Sequence, residues 1–129
     1  ATAVVDRFRQ EAGVSDLSRR PDLEAKDIFE AAADGNKAAA RIVSETAEYL
    51  AVGITSIMHA LNPEMVVLTG GMMGAGEAFL DQIREHVRRL AFPSAWEACA
   101  VQASTLGGDA GILGAALAAE AFDRTGERA

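Results

Sequence analysis

The sequence predicts an α/β fold, rich in helix, with a short parallel βαβα unit. Three observations predict it. A short apolar run, Met65 to Thr69, lies between a proline stop at Pro63 and a glycine cluster, Gly70, Gly71, Gly74 and Gly76. A second such run, Ala98 to Ala103, follows one amphipathic helix and leads into Gly107 and Gly108. Aromatic residues make up only 5% of the chain, whereas alanine and glycine abound, which suits helices packed closely through small side chains.

Composition bounds what such a fold can do. The 129 residues are enough for one domain, and half of them are apolar, so a sizeable core is expected. A net charge of −7 with no basic cluster argues against nucleic acid as a partner. The single cysteine, Cys99, cannot form an internal disulfide or a multi-cysteine zinc site, and a cytoplasmic location fits. No apolar run approaches the roughly 20 residues of a membrane span, so no membrane partner is expected. The chain opens on Ala1-Thr2-Ala3, without a charged-then-apolar signal segment, and reads as the fragment of a longer polypeptide.

The elements follow in order. Val4, Val5 and Phe8 recur at helical spacing over residues 2 to 12, with Gly13 as a stop. Residues 14 to 23 form a polar connector. A second helix is expected from Glu24 to Ala33, with Asp22 as its cap and Ile28, Phe29 and Ala32 on its buried side. Gly35 suits a left-handed helix end, and Asn36 can cap the next helix. That helix runs from Lys37 to Leu61, roughly 37 Å at 1.5 Å per residue. Ile42, Val43, Ala47, Leu50, Ile54, Ile57, Met58 and Leu61 form its apolar face. Gly53 costs about 1 kcal/mol relative to alanine there, which a neighbouring backbone at close range would offset. Asn62-Pro63 ends the helix, since the residue before proline avoids the helical region.

The run from Met65 reads as a buried strand. After the glycines, a helix from Gly76 to Leu90 buries Phe79, Leu80, Ile83, Val87 and Leu90. Glu77 and Asp81 sit at its start and Arg84, His86, Arg88 and Arg89 toward its end, matching the helix dipole. A loop with Trp96 precedes the second strand. Asp109 is a natural cap for a last helix, Ala110 to Phe122, whose Gly111, Gly114, Ala115 and Ala118 form a smooth face.

Two strand–glycine–helix transitions at neighbouring parallel strands share one carboxyl-end edge, where ligands of open α/β sheets bind. Backbone N–H groups there can meet a ribose or phosphate unobstructed. The plainer reading is that these glycines only make tight turns. Neither a G-x-G-x-x-G fingerprint nor a P-loop is present. No catalytic constellation emerges. Glu45/Glu48 and Asp81/Glu85 read as solvated helix neighbours, Asp109 as a cap ahead of a base, Cys99 as a small buried hydrophobe within a strand, and His59 as a packed or dipole-facing side chain ahead of a ligand. His59 and His86 lack a third metal ligand.

Three segments in order, Ile28-Phe29-Glu30-Ala31-Ala32-Ala33-Asp34-Gly35-Asn36, Asn62 through Gly71, and Leu106-Gly107-Gly108-Asp109-Ala110-Gly111-Ile112-Leu113-Gly114-Ala115-Ala116, resemble the C-terminal part of the ROK family of repressors, open reading frames and sugar kinases. The resemblance covers about residues 1 to 120. It implies a partial RNase H-like lobe of the actin-like ATPase fold, with residues 1–129 as the C-terminal segment of the kinase's C-terminal lobe. It further implies that the Gly70-Gly71 turn, with Met72 beside it, lines the adenosine side of an ATP pocket. Gly108 departs from the family pattern, which often has an acidic residue there. The family's phosphate motifs, aspartate base, and His/Cys zinc cluster with nearby sugar residues are not found here.

The resemblance therefore implies the C-terminal part of an ATP- and Mg2+-dependent sugar kinase of glucokinase type, acting on a hexose, with no catalytic residue in this segment and the zinc site upstream. The alternative is the effector-binding domain of a ROK repressor; a third is an unrelated α/β binding module with a complete sheet. Two strands cannot cover such long helices, so association is expected, as a homodimer through helical surfaces including residues 37 to 61.

Overall fold

The computed structural model describes residues 2–11, 15–106 and 109–126. In order the elements are α1 (Thr2–Glu11), α2 (Ala25–Ala33), α3 (Lys37–Leu61), β1 (Met65–Leu68), a 3-10 turn (Gly71–Ala75), α4 (Glu77–Leu90), α5 (Pro93–Ala98), β2 (Ala100–Ala103) and α6 (Ala110–Gly126). The strands pair in parallel, Met65 opposite Ala100 and Leu68 opposite Ala103. Flanking bonds extend the ladder: the Ala100 N–H donates to the Glu64 carbonyl at 2.9 Å and the Ser104 N–H to that of Leu68 at 2.7 Å. The unit is the predicted short parallel βαβα.

One apolar cluster joins the first five helical segments to one face of the sheet. Phe8, Ile28, Ile42, Met58, Ile83 and Val87 are its largest fully buried side chains. The long helix α3 is its spine, lying along α4 and also touching α1 and α2. Phe29 and Phe79 meet edge to face across α2 and α4, 4.8 Å between ring centres.

Caps set the register. Asn36 accepts the Ala39 N–H at 3.1 Å, as expected, and Gly35 takes φ +89° just past α2. The expected Asp22 cap of α2 is instead Glu24. Its side chain accepts the Asp27 N–H while Asp27 accepts the Glu24 N–H at 2.8 Å, a reciprocal box. Asp22 is turned away by its ion pair with Arg20 at 3.2 Å.

Several expectations change. The connector before α2 is not wholly polar, because Leu23 is buried in the core. The strand β1 is buried on one face only. Val66 and Leu68 pack on the core, but Met65 and Val67 are 51% and 53% exposed because none of the described elements covers that side. Leu90, expected to face the core, is 47% exposed, and Ile57 and Leu61 on the apolar face of α3 are 48% and 75% exposed, since their sides of α4 and α3 lie beyond the packed helices. The Trp96 loop is the helix α5, with Pro93 at its first position, where a missing N–H costs nothing. That shortens the second strand, and Cys99 becomes the buried residue ending α5. The last helix continues to Gly126, and residues 111 to 120 are all exposed. Gly13, Gly107 and Gly108 lie outside the described residues.

Candidate functional site

The turn after β1 is built by glycine conformations other residues resist. Gly70 has φ +105° and ψ 173°, and Gly76 φ +87° and ψ −174°. Between them the chain winds one 3-10 turn, with the Met73 N–H donating to the Gly70 carbonyl at 3.0 Å and the Gly76 N–H to that of Met73 at 3.2 Å. The Gly76 carbonyl then accepts from Phe79 and Leu80, starting α4. Phe79 and Leu80 are buried, so the core anchors the turn directly behind its glycines.

The outer surface of this turn is clear. A Cβ built at Gly70, Gly71 or Gly74 would meet no atom within 4 Å. No atom of the described chain crowds a side chain at these positions, and the glycines leave an open strip of backbone. Gly71 borders cavities on several sides. One, of about 230 Å³, lies between Thr69 to Gly71 and the residues ending β2, Ala103 and Ser104. A second, of about 260 Å³, runs over Met72 toward Leu50 and Leu68. A third, of about 460 Å³, separates Gly71 from α1 and the start of α2. Its floor is Val5, Leu23 and Ala25, and its rim carries Asp6, Arg9 and Lys26. Arg9 is held there by donating to the Arg20 carbonyl at 3.0 Å.

Of the sequence-predicted residues, Gly70 and Gly71 stand exposed at the carboxyl end of β1, beside the carboxyl end of β2, as the parallel register requires. Met72 is half-buried and packs on the core beside them. Arg9, Lys26, Ala103 and Ser104 were missed. No local pattern marks them, because chain segments far apart in sequence bring them to the turn. Ser104 has its own local role, its Oγ accepting the Leu106 N–H at 3.1 Å.

His59 keeps the packed role read for it, whereas Arg84 and Glu45 depart from the solvated reading. The His59 ring stacks on Phe92 at 4.4 Å, and its Nε2 accepts the Phe92 N–H at 3.1 Å. Arg84 is more than a solvated helix residue. Its Nε donates to the Val101 carbonyl at 2.9 Å, tying α4 to β2, while its Nη1 meets Glu77 at 2.5 Å and Asp81 at 2.9 Å. Glu77 foremost holds the Arg84 guanidinium above its usual pKa. Glu45 is bridged by Arg7 and Arg41. Among the described residues no three His, Cys, Asp or Glu side chains gather into a metal site. The glycine turn is open on its outer side, and the described residues do not fit a Mg2+ or zinc ion.

An α/β lobe whose glycine turn faces outward at the carboxyl edge of a parallel strand pair defines a class of ligand-binding fold. Its relatives make the class specific. The ROK family model matches residues 2–121, and the chain belongs to the ROK family. It is 34% identical over 114 residues to a glucokinase of Halalkalibacterium halodurans, covering 88% of this chain and 34% of that protein. It is 29% identical over 93 residues to a xylose repressor of Caldicellulosiruptor bescii, covering 72% of this chain and 23% of that protein. It superposes on the crystal structure of a ROK family glucokinase from Streptomyces griseus, in complex with glucose and AMPPNP, with a TM-score of 0.74 and 30% identity, covering 88% of this chain and 40% of that one. The chain spans about a third of the length of the curated relatives it matches. The lobe is thus a partial RNase H-like lobe of the actin-like ATPase fold.

Proposed function

We propose that these residues form the C-terminal segment of the C-terminal lobe of an ATP-dependent sugar kinase of glucokinase type. The parent transfers the γ-phosphoryl group of ATP, as its Mg2+ complex, to a hexose hydroxyl. Within it the Gly70-Gly71 turn lies along the adenosine side of the nucleotide, with Met72 supporting the turn from the core. The observation that carries this reading is the unobstructed backbone at Gly70, Gly71 and Gly74, in a chain similar to a glucokinase crystallised with AMPPNP.

The segment binds and positions, and it does not perform the chemistry. Phosphoryl transfer needs a base or water-positioning group, bound metal and a held acceptor, and these residues supply none of them. The 129-residue chain is therefore inactive alone; the base, the sugar residues and the zinc cluster belong upstream in the parent. The parent is cytoplasmic, binds neither nucleic acid nor membrane, and associates as a homodimer. No described helix is long and apolar enough to cross a membrane.

The second reading is an effector-binding domain of a ROK repressor, favoured by the similarity to the xylose repressor. One assay separates the readings. ATP, Mg2+ and glucose are supplied to the purified chain and to the longer polypeptide that contains it, and ADP is followed. The account expects no steady ADP from the chain and sugar-dependent ADP from the longer polypeptide. Sugar-dependent ADP from the chain alone overturns the division of labour. A longer polypeptide that binds sugar but makes no ADP supports the repressor.

A further inference from the structure

The three cavities that meet at Gly71 differ in what they can hold. Those of about 230 and 260 Å³ have no charged side chain on their walls and fall below the roughly 300–1,000 Å³ of small-molecule sites. The one of about 460 Å³, between Gly71, α1 and the start of α2, lies within that range. Its floor of Val5, Leu23 and Ala25 is apolar and fixed by the core. Its rim balances two carboxylates, Asp6 and Glu24, against two cations, Arg9 and Lys26. A phosphate group calls for an excess of cations. An apolar floor under a rim of no net charge suits an uncharged ring that carries both donors and acceptors.

Two of the four rim charges are already engaged. Glu24 caps α2, and Lys26 pairs with Glu30 at 3.6 Å. Asp6 has no hydrogen bond or ion pair with any described residue. Arg9 is held through one nitrogen, its Nη2, which donates to the Arg20 carbonyl at 3.0 Å and to that of Pro21 at 3.5 Å. The Nε and Nη1 hydrogens are left over, and no described carboxylate pairs with them. Asp6 and Arg9 stand three residues apart on α1, so they are neighbours on one side of the helix, an acceptor beside a donor. The amino edge of adenine is the complement, an amine that donates beside a ring nitrogen that accepts.

We propose that the adenine base of the nucleotide lodges in this cavity, on Val5, Leu23 and Ala25, with Asp6 accepting from its 6-amino group and Arg9 donating to the ring nitrogen beside that group. The inference rests on the nucleotide reading above and specifies the residues that read the base. The floor holds any purine, whereas Asp6 selects the amine: without it a carboxylate is desolvated and left unpaired. The two carbonyls hold Arg9 in place beforehand, so little side-chain freedom is lost on binding.

The test is titration calorimetry on the longer polypeptide, without sugar, with ATP and with purine riboside 5′-triphosphate, which lacks only the 6-amino group. Wild type should bind ATP at least about tenfold tighter. Asp6→Ala should erase that preference with melting temperature unchanged, because no described residue depends on Asp6. The ratio of the two affinities cancels any general effect of the lost charge. Arg9→Ala should weaken both nucleotides at least about tenfold. Equal binding of the two nucleotides by wild type, or a preference for ATP that survives Asp6→Ala, overturns this base site. The nucleotide reading fails separately, if Gly71→Leu also leaves ATP affinity unchanged.

Discussion

Gly70 and Gly71 look alike in the sequence and differ in kind in the structure. Gly70 sits at φ +105°, where side chains are strained; Gly71 has an ordinary backbone and open space where a side chain would stand. Gly70→Ala should therefore lower stability by about 1–3 kcal/mol, read from denaturant unfolding. Gly71→Ala should change it by less than about 0.5 kcal/mol. Equal effects would show that the two glycines do not hold these separate jobs. The carboxylates give a second residue-scale prediction. Arg7 lowers the pKa of Glu11, Arg20 that of Asp22 and Arg88 that of Glu85. A depressed folded pKa adds stability that is complete above the unfolded value and is lost as pH falls through the folded one. Melting temperature should thus be flat near neutrality and fall below about pH 4.5, less steeply at high salt because these pairs face solvent. A melting temperature that rises on acidification would contradict the assignment.

At the scale of elements, what local chemistry controls was legible and what neighbours control was not. Asn36 at the head of α3 and Gly35 before it act through their own backbone and side-chain reach, and both are found as read. Asn36→Ala should cost about 1 kcal/mol. Asp22 does not cap α2 because a competing partner, Arg20, takes its carboxylate, and that contact is invisible to a capping pattern. Ile57, Leu61 and Leu90 repeat at helical spacing, but periodicity identifies an apolar side without saying what covers it. The helix α6 follows the same logic. Its smooth face was legible, yet within this chain residues 111 to 120 touch too little to be covered. Truncation after Ser104 should accordingly shift the melting temperature by less than about 4 °C, the change expected for roughly 1 kcal/mol in a domain of this size. Ile83→Ala, which opens the fully buried core between α4 and its neighbours, should cost about 2–5 kcal/mol. Truncation that destabilises more than Ile83→Ala would mean that α6 packs on the chain.

On the whole-molecule scale, a single apolar cluster holds the helices to one face of a two-stranded sheet, while the other face and α6 stay open. The candidate site follows the same division. The glycine turn was legible because its spacing after an apolar run is local. Arg9 and Lys26, on the far side of the Gly71 cavity, were not, because only the folding of α1 and α2 over the turn brings them there. The central claim is that this turn serves the adenosine side of a nucleotide in a longer kinase. The most direct measurement is AMPPNP affinity, by titration calorimetry, in the longer polypeptide with and without Gly71→Leu, a position where a Cβ meets no atom within 4 Å. The account predicts at least a tenfold loss of affinity with melting temperature and sugar binding unchanged. Unchanged AMPPNP affinity in a folded Gly71→Leu protein would contradict it.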